Sequence, residues 1–408
     1  MARRNSLLLV IPSVVLDHNG SLRVEADFLN DLRVYCKNFD EVIFACPALN
    51  AKQNEGYIQR SALLDELPDN ARYIRLPYTY REDTHLSHYF KTRKLLRDLI
   101  EGADYLLFAP HAPLDWPTLA AREAFKMGRK YDVEYAVDYH DFMRFKIASM
   151  PWGARKLRKS ILARWMKREA DRYFSRSALA MLQGQELFDT YKNAAPNPQM
   201  MLNVQVREGD HISEDQLKEK VAQIRSGAPL RIVYSGRMND RKGAIDWMKA
   251  INTAGCAVSA TWFGDGPDRA AMESLNEGRQ VSFAGEVPRA NVLSAMRDAH
   301  MFLFCHKVPE SPRCLIGALA SGAPLVGYRS PYPESLVAQD GGGQFVAKEN
   351  WQALGSLISQ LNDDRNRLAE LVLAAARTGR SYEHDNAVHG RADLIRKYVG
   401  KADVQAHL

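Results

Sequence analysis

Pro309-Glu310-Ser311-Pro312-Arg313-Cys314-Leu315-Ile316, continuing as Gly317-Ala318-Leu319-Ala320-Ser321-Gly322, describes a helix whose open end can hold an anion. Ser311 is a good N-cap, Pro312 fits a first turn where a missing N–H costs nothing, and Gly322 can take the left-handed conformation that ends a helix. The spacing predicts a helix from about Pro312 to Ser321. Met301-Phe302-Leu303-Phe304-Cys305 precedes it and reads as a buried strand, so the helix starts at the carboxyl end of a strand, where phosphates bind in α/β sheets. N–H groups near Arg313, Cys314 and Leu315 would face such a ligand, and the helix dipole favours its negative charge. An ordinary capped α/β helix is the other reading of the same residues.

Around this stretch, apolar runs alternate with helical patterns: Leu7 to Ile11, Glu41 to Ala45, Tyr105 to Phe108, Tyr135 to Val137, Arg231 to Ser235, Ser259 to Phe263, Val281 to Ala284 and Met301 to Cys305. Strands separated by helices imply parallel sheets with right-handed crossovers, hence an α/β fold. The 408 residues suit two domains of roughly 200 residues each. The longest polar interval ends in Ser226-Gly227-Ala228-Pro229. It divides the chain into an N-terminal Rossmann-like domain over 1–206, a linker over 207–229, a second Rossmann-like domain over 230–378, and a tail over 379–408 whose helix packs back on the first domain.

Composition narrows the class. A hydrophobic content of 46% with 25% charged residues is that of a globular protein, and no apolar run approaches the roughly 20 residues of a spanning helix. The opening Met-Ala-Arg-Arg-Asn-Ser-Leu-Leu-Leu-Val-Ile-Pro has too short an apolar part for a signal peptide, which predicts a first strand and a cytoplasmic chain. Five scattered cysteines without a Cys-x-x-Cys pair argue against a disulfide framework or a zinc site. The net charge of +6 is unevenly spread: between Met143 and Ser177 eleven Lys or Arg residues face two acids, Glu169 and Asp171. There Leu157, Ile161, Leu162, Trp165 and Met166 recur at helical spacing. Such a helix can rest on an anionic membrane, with Trp152 and Trp165 near the headgroups, or pack its apolar stripe into its own domain. No stacking motif accompanies the charge, which speaks against nucleic acid.

The segment Arg231-Ile232-Val233-Tyr234-Ser235-Gly236-Arg237-Met238-Asn239-Asp240-Arg241-Lys242-Gly243 delivers two glycines and several cations to one sheet edge, where they can clamp a diphosphate; a solvated basic turn is the alternative. Phe263-Gly264-Asp265-Gly266-Pro267 and Phe283-Ala284-Gly285-Glu286 are further strand ends of the same kind.

As a set and in this order, from about Leu230 to Gly343, these motifs resemble the donor domain of retaining GT-B glycosyltransferases of family 4. The resemblance implies two Rossmann-like domains facing each other across a cleft. It implies transfer of a sugar from a nucleoside-diphosphate sugar to a glycan or lipid-linked acceptor, in bacterial surface-polysaccharide assembly, without cofactor or metal. Arg237 and Lys242 would grip the diphosphate, Glu310 would hydrogen-bond the sugar, and backbone at Cys314 and Leu315 would complete the cradle, beside Gly236 and Arg313. The first half is similar more loosely. Gly20, in His18-Asn19-Gly20-Ser21, would approach the diphosphate, and a plain turn is its alternative. His140, ending Ala136-Val137-Asp138-Tyr139-His140, would sit against the donor sugar, with a histidine satisfied by local hydrogen bonds as its alternative; Pro110-His111-Ala112-Pro113 would lie near the acceptor, and His306 would line the cleft.

The chain also departs from the pattern. Counting back from Ala320-Ser321-Gly322, the second glutamate expected on this helix is replaced by Gly317, and the interval from Glu310 is one residue short. Losing that ribose contact would cost roughly 1.5 to 3 kcal/mol of binding. The departure leaves open a non-catalytic GT-B protein that binds a nucleotide sugar or a partner enzyme. No Asp-x-Asp triplet occurs, and no carboxylate pair for double displacement can be picked out.

Overall fold

A computed structural model describes residues 5–18, 20–50, 61–78, 82–112, 114–137, 139–148, 150–276, 278 and 280–400. Asn19, Pro113 and Asp138, quoted above, lie outside the described residues. The chain divides into two compact units, Met1–Leu202 with Asp385–Leu408, and Asn203–His384.

In unit 1 the strands are β1 (Ser6–Val10), β2 (Val15–His18), β3 (Ser21–Glu25), β4 (Glu41–Asn50), β5 (Ser61–Leu63), β6 (Ala71–Leu76), β7 (Tyr105–Phe108), β8 (Asp132–Tyr135), β9 (Leu179–Gln183) and β10 (Pro198–Met201). The helices are α1 (Ala26–Asn38), α2 (Glu82–Gly102), α3 (Trp116–Lys126), α4 (Tyr139–Ala148), α5 (Ala154–Arg176) and α6 (Gly184–Tyr191). The sheet order is β10-β9-β8-β7-β1-β4-β2-β3-β5, with β6 paired to β4. β1, β7, β8 and β9 are parallel, and β1, β7 and β9 are nearly all apolar, as strands covered on both faces must be. The pairs β2–β3 and β3–β5 are antiparallel, a departure from an all-parallel sheet. Gly20, at φ +85°, makes that hairpin possible, because a side chain would strain the turn.

The strand expected over Tyr135 to Val137 is instead β8, which pairs with β9 from Asp132 to Tyr135. Two buried or half-buried acids, Asp132 and Glu134, interrupt its apolar signal, and Val137 is exposed. His140 therefore does not end a strand; it stands in the first turn of α4.

Unit 2 contains α7 (Glu214–Arg225), β11 (Leu230–Ser235), α8 (Ala244–Thr253), β12 (Val258–Phe263), α9 (Arg269–Ser274), β13 (Gln280–Gly285), α10 (Arg289–Asp298), β14 (Met301–Phe304), α11 (Arg313–Ala320), β15 (Leu325–Tyr328), α12 (Pro331–Val337), β16 (Gly343–Val346), α13 (Trp351–Asp363) and α14 (Arg365–Arg380). Its six strands are all parallel in the order β13-β12-β11-β14-β15-β16, the doubly wound order in which strand sequence reverses between the first and fourth strands.

Residues 207–229, expected as a linker, are folded into this unit. Ser213 and Gln216 form a capping box that starts α7, and buried Lys220 donates from Nζ to the carbonyls of Met296, Ser321 and Gly322 at 3.2, 2.9 and 3.1 Å. Polar composition marked α7 as exposed, yet its one buried cation ties together the C-terminal ends of α10 and α11. A last helix, α15 (His384–Val399), runs from the end of unit 2 into unit 1.

Candidate functional site

The strand reversal in unit 2 falls between β11 and β14, which pair in register through Ile232–Met301 and Val233–Phe302. Loops leaving the carboxyl ends of these two strands diverge there, and the predicted phosphate residues stand on both of them. After β11 the chain passes Gly236 and Arg237, makes a single turn over Asp240–Lys242, and enters α8 at Gly243. Asn239 caps the turn by accepting the Lys242 N–H at 3.1 Å.

Gly243, at φ +65°, packs its Cα against the end of β14; a Cβ there would lie 2.0 Å from the Cys305 carbonyl oxygen. This approach brings the turn against the loop that follows β14. The Lys307 N–H donates to the Arg241 carbonyl at 2.9 Å, and Lys307 Nζ reaches Asp240 at 2.9 Å and Asp246 at 3.4 Å. The turn is thus clamped from both sides, and Lys242 is aimed at Glu310.

Lys242 Nζ and Glu310 Oε1 form an ion pair 2.7 Å long, each side chain 18% exposed. His306 Nδ1 lies 3.6 Å from the same oxygen, and its Nε2 is 2.7 Å from the Tyr234 hydroxyl. Burial, and then the Lys242 charge, hold the His306 pKa well below its ordinary value, so the ring is neutral. A neutral ring facing a carboxylate on one side carries its proton on Nδ1, and Nε2 accepts from the tyrosine O–H. Tyr234 is fully buried and its pKa is raised well above the usual by burial, which keeps it a donor.

Lys242, Glu310, His306 and, through it, Tyr234 therefore form one connected group at the strand reversal. Cys314 stands beside it: burial pushes its thiol up to about 11, against a smaller opposing influence of Lys242. That makes it a neutral neighbour and not a nucleophile.

The other predicted residues are placed as follows. Arg237 is exposed on the same edge, with no hydrogen bond or ion pair among the described residues. Gly236 spends its N–H on the Phe263 carbonyl at 2.9 Å, and its own carbonyl accepts from Trp262 Nε1 at 2.8 Å. It supports the loop and does not offer a donor. Gly264 and Gly266 pack where a Cβ would lie 2.3 Å from the Gly236 carbonyl oxygen and 2.2 Å from that of Met238, so the glycine turn after β12 is a backbone-to-backbone contact.

Helix α11 begins at Arg313 with Pro312 as N-cap and no side-chain cap bond; Ser311 is not the cap. The Leu315 N–H, expected to face a ligand, instead turns back to the Pro312 carbonyl at 3.3 Å. Gly322 closes the helix region at φ +62°. Gly317 is buried, and a Cβ there would touch Leu293 and Met296 of α10 at 3.5 and 3.9 Å. Its position is an apolar helix-packing surface.

His140 and Gly20 belong to unit 1. His140 is half-buried in α4, and Gly20 donates its N–H to Asp17 Oδ1 at 3.2 Å within the hairpin. His111 is held in a turn, its N–H donating to Asp115 Oδ2 at 2.6 Å, and burial lowers its pKa. Among the described residues no cluster of three His, Cys, Asp or Glu could hold a metal ion. Tyr234 and the Lys307–Asp246 clamp were not singled out from the sequence. The strand register, which sets Tyr234 beside β14, is the signal that could have found the tyrosine.

Residues 215–378 match the family described as Glycosyl transferases group 1. No curated protein matches. Among solved structures, HepE of Anabaena in complex with UDP is similar at 14% identity and a TM-score of 0.65, covering 96% of this chain and 100% of that one. Sucrose-phosphate synthase from Thermosynechococcus elongatus is similar at 13% identity and a TM-score of 0.68, covering 97% and 99%. WaaG, a glycosyltransferase involved in lipopolysaccharide biosynthesis, is similar at 13% identity and a TM-score of 0.63, covering 95% and 99%. Most of unit 2 therefore matches the group 1 glycosyltransferase family model, in a chain with the GT-B fold.

Proposed function

We propose that the protein transfers a sugar from a nucleoside-diphosphate sugar to a glycan or lipid-linked acceptor, with retention of configuration and without a metal. The observation that carries this reading is the Lys242–Glu310 pair at the strand reversal of a group 1 domain, next to the N-terminus of α11. When the nucleoside diphosphate departs, negative charge grows on its oxygens. Lys242 and the α11 dipole are fixed positive groups suited to meet it, and the exposed Arg237 on the same edge can join them. Glu310, held by His306 and Lys242, would accept a hydrogen bond from a sugar hydroxyl, and the acceptor hydroxyl would lose its proton to the leaving phosphate on the same face. In the free protein Lys242 is occupied by Glu310, so donor binding exchanges one anion for another and frees a glutamate oxygen for the sugar.

The complexes of HepE with UDP and with UDP-glucose support a nucleotide-sugar donor here. The reading places the reaction in surface-polysaccharide assembly, to which the likeness to WaaG lends support. The role that the family resemblance gives to His140, contact with the donor sugar, is tested by His140→Ala.

A thermal-shift titration with UDP, GDP, ADP, CMP and their sugars tests the donor site. One nucleotide should stabilise the protein by about 2.7 kcal/mol at about 100 times its Kd, a shift of several degrees. Lys242→Ala should keep its own cooperative melt, lose the ligand shift and abolish transfer. Unchanged transfer in Lys242→Ala sinks the site assignment. The absence of a carboxylate at Gly317 favours a second reading, a non-catalytic nucleotide-sugar-binding protein, and a ligand shift without any turnover would establish it.

A further inference from the structure

Helix α5 buries one face and turns a second apolar face outward. Its buried residues are Ala163, Glu169, Ala170, Tyr173 and Phe174. Leu157, Ile161 and Trp165, spaced four apart, lie on the opposite side and remain 65%, 58% and 38% exposed. The apolar stripe read from the sequence is therefore not the one that packs into the domain. Trp152, just ahead of the helix, is 91% exposed with Lys156 Nζ 4.7 Å over its ring.

Single exposed apolar residues are ordinary, but a row of them over more than two turns of one helix face is not. On the same helix Arg155, Arg158, Arg164 and Arg168 are all exposed and without an ion pair among the described residues. The two acids of the helix are both spent. Glu169 is gripped by Arg122 and Arg172 at 2.5 Å each, and Asp171 by Lys167 at 2.9 Å. Although burial pushes the Glu169 carboxyl up, the two guanidinium groups outweigh it and hold the pKa below the ordinary range. This bridge also fastens α5 to α3, so the outward face is a fixed surface. Beside it opens a cavity of about 440 Å³ walled by Arg122, Phe125, Lys126, Trp165, Arg172 and Arg176. Trp165 belongs to both the cavity and the stripe.

We infer that this face of α5 docks on an anionic lipid bilayer, with Leu157, Ile161, Trp165 and Trp152 entering the headgroup boundary and the flanking arginines meeting lipid phosphates. Charge and shape both favour a bilayer. The cations form a rim on both sides of an apolar row, which suits a surface that is anionic at the headgroups and apolar beneath, whereas a soluble polyanion offers nothing to the apolar row. The cavity, cationic with aromatic walls, is suited to one headgroup. The surface shares no residue with the Lys242–Glu310 pair, so lipid binding and donor binding can fail separately.

The test is co-sedimentation of the full chain with phosphatidylcholine vesicles, with and without phosphatidylglycerol, at low and high salt, with tryptophan emission as a second readout. The protein should sediment only with the anionic vesicles at low salt, with a blue shift. Arg158→Gln/Arg164→Gln should bind roughly 25-fold more weakly, about fivefold for each cation lost. Leu157→Gln/Ile161→Gln should lose both sedimentation and blue shift while melting as the wild type does. No sedimentation at low salt would overturn the inference. So would wild-type binding by the apolar variant together with displacement by RNA, which would make the face a plain polyanion site.

Discussion

Gly243 decides where the lysine of the proposed donor site stands. Its positive φ of 65° and its contact with Cys305 leave no room for a methyl group, since a Cβ would lie 2.0 Å from a backbone oxygen that cannot swing away. In Gly243→Ala the turn Asp240–Lys242 must move off β14, and the 2.7 Å bond from Lys242 to Glu310 goes with it. We expect a loss of about 2 kcal/mol or more in urea unfolding, and a larger proportional loss of nucleotide binding. A variant that binds nucleotide as well as the wild type would show that Lys242 does not depend on this contact. Gly317 gives the contrast: Cβ contacts of 3.5 Å and beyond make Gly317→Ala sterically ordinary, so glycine there serves no packing need.

At the scale of elements, β14 is bracketed by two buried histidines. Burial, helped by the charges of Arg231, Lys220 and Arg365, lowers His300 to about 3, and His306 is also held well below its ordinary value. Both are neutral when folded and titrate near 6.5 when unfolded. The unfolded chain therefore binds more protons below that pH, and the stability these groups contribute is complete above about 6.5 and is lost as pH falls toward 3. At pH 5 the His300 share is about 2 kcal/mol. The melting temperature should drop between pH 7.5 and 5, and His300→Asn, which can still accept the Arg231 N–H that the ring accepts at 3.3 Å, should flatten the drop. An unchanged slope would show that another group is responsible. The same strand shows what a sequence can reveal. The apolar run of β14, and the glycines and cations that follow β11, are local signals, so β14, α11, Lys242 and Glu310 were legible. The Tyr234–His306 bond was not, because it depends on register between strands that are far apart in sequence. Periodicity likewise revealed an apolar stripe on α5, but periodicity cannot say which of two stripes its neighbours will cover.

At the scale of the whole chain, unit 1 is completed only by residues from the far end. Val388, Ala392, Ile395 and Val399 of α15 enter its core, and Arg391 is buried with Asp31 Oδ2 at 3.2 Å and Glu134 Oε1 at 3.7 Å. Burial pushes the Glu134 carboxyl up while Arg391 opposes it, so the guanidinium is what makes ionised carboxylates tolerable there. Arg391→Met keeps the apolar stem and removes the charge, and should cost unit 1 about 3 to 5 kcal/mol. Without the cation, the folded-state carboxyls take up protons more readily than in the unfolded chain. The stability they contribute is then present at low pH and lost as pH rises, so the defect should shrink toward pH 5. Hydrogen exchange resolved by peptide distinguishes the units: amides of β8 and β9 should lose protection in Arg391→Met while those of β11 and β14 keep theirs. Equal loss in both sets would mean that the units unfold as one, and full protection in β8 would mean that the apolar residues of α15 hold unit 1 together without the buried charge.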